Sequence, residues 1–258
     1  MDGGHRGPAA NQRPVTEQLV RLAALGDLHC PRTPPDVLGP LLGRAAQEAD
    51  VLLLCGDLTD RGLPDEARVL VKMLTASVRI PIIAVLGNHD YDAGEASVIR
   101  GLLSEAGVRV LDGEPVEIAG VGFAGVKGFC GGFGDRALQP WGEEIIKRFV
   151  HEAVDEALKL ESALAKLRTS QRVAILHYAP VESTVKGEPP ELLPFLGSSR
   201  LEEPLTRYPV NVIFHGHAHG GSPEGRTRTD VPVFNVALPL LQRVYPDRPA
   251  IRTVELPS

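Results

Sequence analysis

Short runs of apolar residues recur along the chain, and each one stops at a glycine or at a polar side chain. The runs are LVRLAAL (19–25), VLLLC (51–55), IIAVL (82–86), VAIL (173–176) and VIF (212–214). Their length and their continuous apolar character predict buried strands. The sequence therefore predicts five strands whose carboxyl ends lead into polar loops.

Stretches with the three-four spacing of an amphipathic helix separate the first three runs, at 37–46 and 67–74, and a longer one covers 143–168. Strand-helix-strand repeats of about 30 residues are typical of parallel βαβ units, in which the carboxyl ends of the strands share one edge of the sheet. After Val231, the runs VPVFNVA, LQRV and IRTVEL predict antiparallel strands that close a second sheet.

Composition indicates a globular protein and disfavours several functional classes. The chain has 258 residues and 43% hydrophobic content, which predicts one α/β domain over 17–258 behind a polar tail over 1–16. We expect no signal peptide and no membrane interaction, because no apolar run is long enough. Three cysteines without paired or metal-like spacing favour a cytoplasmic location. The net charge of -6 disfavours duplex nucleic acid as a partner, and the oligomeric state stays open.

Potential metal ligands follow the five predicted strands. The chain carries Asp-x-His at 27–29, Gly-Asp at 56–57, Gly-Asn-His-Asp at 87–90, a single histidine at 177 and Gly-His-Ala-His at 216–219. Carboxylates, amide oxygens and imidazoles together suit divalent ions such as Mn, Fe, Co, Ni or Zn. Because these loops are expected to share one sheet edge, the sequence predicts a metal site there.

In their order and spacing, these five motifs resemble those of the calcineurin-like metallophosphoesterase superfamily, over about residues 20–220. The resemblance implies an α/β fold, a four-layer α/β/β/α sandwich of two mixed sheets flanked by helices. It also implies a dinuclear metal site at the carboxyl edge of the strands. The expected reaction is hydrolysis of a small phosphorylated substrate by a hydroxide that bridges two divalent metal ions.

The resemblance assigns the motif residues to two metal positions. One metal is expected to bind Asp27, His29, Asp57 and His219, and the other to bind Asp57, Asn88, His177 and His217. Asp57 would bridge them, since a carboxylate can span metals about 3.5–4 Å apart. His215 lies one place too early for the motif, so we expect it in the core or behind the ligands.

The residues next to Asn88 are the candidates for acid catalysis. His89 is not needed as a ligand and would protonate the leaving oxygen, with Asp90 as the carboxylate that sets its tautomer. Asn88 and Arg61 are the candidate substrate-binding residues. The Asp-Arg-Gly sequence at 60–62 is equally typical of a turn before the helix that begins near Pro64.

The sequence favours a phosphodiester substrate over a phosphomonoester. A dianionic monoester requires more cationic side chains, and Arg61 is the one clamp that the motifs offer. A phosphomonoesterase or a nucleotide pyrophosphatase with the same site is an alternative. A non-catalytic scaffold of the same fold is another, disfavoured because every ligand position is filled. The segments 127–142 and 180–200 are expected to set specificity, but they contain no motif that identifies a substrate.

Overall fold

The computed structural model describes residues 19–257, and the tail expected over residues 1–16 lies outside them. Within the described residues, eleven strands form two sheets. The strands are β1 (Leu19–Leu25), β2 (Val51–Cys55), β3 (Ile82–Val85), β4 (Arg109–Val110), β5 (Val116–Ile118), β6 (Val121–Val126), β7 (Gln171–Leu176), β8 (Val212–His215), β9 (Glu224–Arg226), β10 (Pro232–Asn235) and β11 (Arg252–Pro257). Seven α-helices occur in the same residues: α1 (Pro35–Glu48), α2 (Pro64–Ser77), α3 (Ala96–Glu105), α4 (Glu144–Lys166), α5 (Leu193–Leu196), α6 (Glu202–Arg207) and α7 (Leu238–Val244).

Both sheets are mixed. The first sheet has the strand order β11-β1-β2-β3-β4, in which β1 to β4 are parallel and β11 is antiparallel to β1. The second sheet has the order β5-β6-β7-β8-β10-β9, with antiparallel pairs at its two edges. Because the central strands of each sheet are parallel, the loops that follow them leave from the same edge.

Alternation along the strands of the second sheet explains how the layers stack. Phe123 and Ile175 point into a core shared with the first sheet, whereas Ala124 and Leu176 point to the opposite face, against α4. Helices α1, α2 and α3 contribute apolar side chains to the core on the first sheet. The expected four-layer α/β/β/α sandwich is thereby confirmed.

The helix predicted over 143–168 is confirmed as α4, whose buried face includes Val150, Leu160 and Leu164. Residues 37–46 lie in α1, and 67–74 lie in α2. Over residues 19–257, no helix combines the length and apolar composition that a bilayer span requires.

The prediction for the segment after Val231 is correct only in part. β10 lies in the second sheet and pairs antiparallel with β9, as expected, although it is parallel to β8. LQRV lies in α7 instead of a strand, and β11 is an antiparallel strand of the first sheet instead of the second. A short apolar run has the same composition in a strand and in a buried helix, so periodicity does not separate them. Pro239, in the first turn of α7, fits a helix start because its missing N–H would be unpaired there.

Candidate metal centre

The candidate ligands lie in loops that follow β1, β2, β3, β7 and β8, and the structure brings all of them to one edge of the two sheets. Their ligand atoms form three groups, each within 4.8 Å: Asp27 with His29 and His219, Asp57 with His177 and His217, and His29 with Asp57 and His89. Asp57 belongs to two of these groups. The arrangement fits two neighbouring cation positions, and the ligand roles themselves stay predictions.

His177 points a nitrogen lone pair toward Asp57. Its Nδ1–H donates to the Cys55 carbonyl oxygen over 3.1 Å, so Nε2 of the neutral ring carries no proton. Burial lowers the pKa of His177 well below its usual value and keeps the ring neutral. Nε2 lies 2.8 Å from Asn88 Oδ1 and 3.4 Å from Asp57 Oδ1, so three acceptor atoms face one another. A cation between them would satisfy all three.

His217 is held in a similar way. Its Nε2–H donates to the Phe195 carbonyl oxygen over 3.2 Å, which leaves the lone pair on Nδ1. The ring centroid lies 4.8 Å from that of His177. Burial is the main cause that lowers the pKa of His217. Two neutral, adjacent imidazoles with free lone pairs are suitable metal ligands.

His29 provides the clearest sign that the site is built for a cation. Both of its ring nitrogens are buried and form no hydrogen bond with any described residue. Burial, opposed by the charge of Asp27 and assisted by that of Arg32, lowers its pKa to about 4. Nε2 lies 3.8 Å from Asp57 Oδ2, which is too long for a hydrogen bond and leaves space for an ion. Buried imidazole nitrogens are rarely left unsatisfied in proteins.

The carboxylates of Asp27 and Asp57 are each fixed by the backbone of another candidate ligand loop. The His217 amide donates to Asp27 Oδ2 over 2.9 Å, and the His89 amide donates to Asp57 Oδ1 over 2.9 Å. A Cβ at Gly87 would overlap with the Asp57 carboxylate, so the close approach requires glycine there. The loops therefore interlock and preorganise the ligands.

Four of the candidate ligands have left-handed backbone conformations. Their φ angles are 56° for Asp27, 43° for His29, 49° for Asp57 and 70° for His217. A non-glycine residue in this region costs about 1–3 kcal/mol, which the surrounding structure must offset. Strain at four positions of one cluster indicates that the loops are shaped for binding rather than for stability.

The two central carboxylates have opposite pKa shifts. Burial would raise the pKa of Asp27, but hydrogen bonds and the charges of His219 and His177 lower it to about 2. Burial, together with the charges of Asp27 and Asp90, raises the pKa of Asp57 well above its usual value. A site with such uncompensated negative charge favours bound cations. The mixture of carboxylate, amide and imidazole ligands fits divalent ions, and no thiolate belongs to these groups.

The proposed role of Asp90 as the partner of His89 is wrong. Asp90 is fully buried and accepts hydrogen bonds from the amides of Gly87 and Thr59 and from the Thr59 hydroxyl. The short helical turn at His89–Tyr91 sends neighbouring side chains in different directions. Asp90 therefore fixes the β2 and β3 loops, which is a positioning role rather than a catalytic one.

The partner of His89 is instead Asp60. His89 Nδ1–H donates to the Asp60 carbonyl oxygen over 2.7 Å, and Asp92 Oδ2 lies 3.6 Å away. Within residues 19–257, His89 Nε2 makes no hydrogen bond, and the side chain is partly exposed. The ring packs edge-on against His29 with centroids 4.6 Å apart. Nε2 is thus free to meet a substrate oxygen.

Two other expectations concern residues at the edge of the site. His215 lies in the core as expected, where Nδ1 and Nε2 pair with the Gly216 carbonyl and the Thr184 hydroxyl at 2.7 Å and 2.8 Å. Arg61 has a side chain that is 79% exposed, with Nε 4.0 Å from Asp60 Oδ2. Its proposed substrate contact stays a prediction.

The structure also reveals residues that the sequence did not indicate. The Asp60 carboxylate backs His29, with Oδ1 3.3 Å from His29 Nδ1, and it pairs with Arg32 over 3.2 Å. Glu188 accepts a hydrogen bond from the Gly220 amide, next to His219. Asp60 lies inside a motif, which could have drawn attention to it, whereas Arg32 and Glu188 carry no sequence signal because their contacts depend on loop paths.

The two segments expected to set specificity pack together beside the centre. The amide of Gly131 donates to Pro194 O over 2.7 Å, and that of Gly132 donates to Gly197 O over 2.9 Å. A small apolar cluster lies beneath them and includes Ala218, between two candidate ligands. Its members are Ala179, Val185, Leu196 and Ala218, with Phe133 and Leu193 packed on them. The segments are therefore built into the site.

Comparison with known proteins places this geometry in context. Residues 20–221 match the model of a protein family that is described as "Calcineurin-like phosphoesterase". Among curated proteins, none matches the chain. The phosphopantetheinyl hydrolase PptH from Mycobacterium tuberculosis has a similar structure, with a TM-score of 0.65, 19% identity, and coverage of 90% of this chain and 95% of that one.

Two further solved structures share the fold. TT1561 of Thermus thermophilus has a TM-score of 0.54 and 13% identity, over 93% of this chain and 99% of that one. GAP50, described as the anchor in the inner membrane complex of Plasmodium, has a TM-score of 0.50 and 12% identity, over 86% of this chain and 72% of that one. At these identities the likeness establishes the fold alone.

Proposed function

The chain belongs to the calcineurin-like phosphoesterase family, and from this we propose that it hydrolyses a phosphodiester in a small phosphorylated substrate with two divalent metal ions. The observation that carries the proposal is the convergence of acceptor atoms around Asp57. His177, Asn88 and His29 all direct acceptor atoms toward it, and His29 has no hydrogen-bond partner among the described residues. Cations are the chemical partners that such a site requires.

One metal ion would be held by the group of Asp27, His29 and His219, and the other by the group of Asp57, His177 and His217 together with Asn88, with Asp57 between the two positions. When bound, two divalent cations would supply an activated water and would withdraw charge from the phosphoryl oxygens. Mn, Fe, Co, Ni and Zn all fit the ligand set. The fixed carboxylates and neutral histidines keep the geometry ready before substrate arrives, which lowers the cost of reorganisation.

His89 has the geometry of the acid for the leaving group. Its Nδ1–H is engaged by the Asp60 carbonyl, so the orientation of the ring is set and Nε2 remains available. A proton held at Nε2 can pass to the leaving oxygen as the phosphorus–oxygen bond breaks. An alkoxide leaving group requires this proton more than a phenolate does.

A phosphodiester matches the charges around the centre better than a monoester does. A dianionic monoester gains from several guanidinium groups around its terminal oxygens, whereas Arg61 is mostly solvent-exposed. The similarity to PptH is compatible with a phosphate ester substrate, although the identity of 19% carries no substrate assignment.

The direct test is turnover with the Mn-loaded protein. We expect kcat/KM for bis(p-nitrophenyl) phosphate to exceed that for p-nitrophenyl phosphate at equal metal loading. A preference for the monoester would overturn the diester assignment and would leave the metal site intact. A parallel screen of cyclic nucleotides and nucleotide pyrophosphates would then locate the substrate class.

A non-catalytic scaffold is the second candidate, and the fold similarity to the anchor protein GAP50 is the observation that favours it. The complete set of ligand residues argues against it. Metal analysis separates the two: an enzyme should bind about two metal ions per chain. A scaffold would bind none tightly and would hydrolyse neither ester.

A further inference from the structure

The carboxylate of Asp60 separates two arginines at the rim of the metal centre. Oδ1 lies 3.2 Å from Arg32 Nη1 and 3.3 Å from His29 Nδ1. Oδ2 lies 4.0 Å from Arg61 Nε. One carboxylate oxygen thus joins Arg32 to a candidate metal ligand, while the other faces Arg61.

We infer that Arg32 is the residue that binds a non-bridging oxygen of the substrate's phosphoryl group. This inference deepens the proposed function and rests on it. Arg32 would form a charge-assisted hydrogen bond to the anion, while Asp60 holds the guanidinium beside the metal centre.

Arg32 has donors to spare for this contact. Within residues 19–257 its guanidinium forms an ion pair with Asp60 through Nη1 and donates no hydrogen bond. Its side chain is 57% exposed, so the remaining N–H groups face solvent. An arginine whose Nη1 is held by a carboxylate, and whose other N–H donors are free, is suited to bind an oxyanion.

Of the two arginines, only Arg32 shares its Asp60 oxygen with a candidate metal ligand. Oδ1 contacts both Arg32 Nη1 and His29 Nδ1, whereas Arg61 approaches Oδ2 at 4.0 Å and has a side chain that is 79% exposed. Arg32 is therefore the arginine that is tied to a ligand of the candidate centre.

A single guanidinium in this position also bears on the substrate's charge. A diester has one negative charge on its non-bridging oxygens, and one arginine together with the metals can balance it. The terminal oxygens of a dianionic monoester would ask for more donors than Arg32 alone provides.

Binding of inorganic phosphate to the Mn-loaded protein tests the inference without turnover. We expect isothermal titration calorimetry to show a loss of about 10- to 100-fold in phosphate affinity for Arg32→Gln, the value of one charged hydrogen bond. Arg32→Lys should fall between this variant and the wild type, because it keeps the charge but loses the fork. Arg44→Gln is the matched control, because this equally exposed arginine pairs with Glu48 on α1, and it should bind phosphate as the wild type does.

Several outcomes would overturn the inference. These are unchanged phosphate affinity in Arg32→Gln, an equal loss in Arg44→Gln, or a loss of bound Mn in Arg32→Gln. The last result would show a structural role through Asp60. If the wild type binds neither Mn nor phosphate, the proposed function fails as well, so the two failures are distinguishable.

Discussion

His29 places its Nδ1 atom 3.3 Å from Oδ1 of Asp60, and this carboxylate is the group that backs the ring on the side away from Asp57. Carboxylates behind a metal-binding histidine orient the ring and raise its basicity. The relationship makes Asp60 a positioning residue for the metal centre, in addition to its backbone contact with His89.

Replacing this carboxylate should weaken metal binding. We expect Asp60→Asn to reduce Mn affinity by about 10- to 100-fold, because the ring of His29 loses its charged support. Competition with a fluorescent chelator measures the change. Asp65→Asn is the control, since this exposed carboxylate pairs with Arg68 on α2. Equal Mn affinity in Asp60→Asn and the wild type would contradict the assignment.

The close approach at Gly87 predicts a large difference between two glycine variants. Gly87→Ala should be destabilised by about 1–3 kcal/mol and should bind metal poorly, because the added methyl group would displace Asp57. Gly39→Ala is the matched control in α1, where nothing lies within 4 Å of the new Cβ. It should be as stable as the wild type or more stable by up to about 1 kcal/mol. Urea unfolding and metal analysis of both variants would show this, and normal metal content in Gly87→Ala would refute it.

The three histidines at alternate positions should differ in their effect on metal content. His217→Asn and His219→Asn should each lose metal, because their rings belong to the two candidate groups. His215→Asn should retain it, since the ring is buried and paired with Thr184. Metal analysis after dialysis distinguishes the variants. Complete loss of metal in His215→Asn would place that residue among the ligands.

Acid catalysis by His89 predicts a dependence on the leaving group. His89→Asn should keep its metal and lose about 10²–10⁴-fold in kcat for diesters with alkoxide leaving groups. The loss should be smaller with nitrophenolate, which leaves without protonation. Rates for the two substrate series test this. If every substrate slowed by the same factor, His89 would bind the phosphoryl group instead of donating a proton.

Buried histidines should make the metal-free protein sensitive to acid. Burial lowers the pKa of His215 to about 4, whereas the unfolded chain has a histidine pKa of about 6.5. Between these values the unfolded state binds the extra proton, so stability falls as the pH drops from 6.5 to 4 and is fully present above 6.5. The free energy of unfolding, measured with urea at several pH values in this range, should change less steeply with pH in His215→Asn than in His151→Asn. The second variant is the control, because it changes an exposed residue of α4. Identical slopes would contradict this origin.

The convergence of the candidate ligands was predictable because each of them follows a strand whose apolar run can be recognised. Asp27, Asp57 and His177 lie one or two residues beyond β1, β2 and β7. Parallel strands bring such positions together without further information. Asp90 was misassigned because neighbours in sequence do not face the same way in the turn at His89–Tyr91.

Contacts made by side chains in loops could not be predicted from the sequence. Arg32, in the loop after β1, pairs with Asp60 in the loop after β2. His217 bonds to the Phe195 carbonyl, which lies in a segment with no regular sequence pattern. Such pairs depend on the path of the backbone, which neither periodicity nor spacing encodes. α7 was missed for a related reason, since its apolar run is too short to show a helical period.

The small apolar cluster that includes Ala218 limits how this protein can change over evolution. Val185 and Leu196, in the segment expected to set specificity, pack with the residue between His217 and His219. A graft of that segment from another enzyme would therefore alter the support of the metal ligands along with the binding surface. New specificities should be reached by point changes on the outer side of the segment, such as at the exposed Leu192 and Phe195, rather than by exchange of the whole loop.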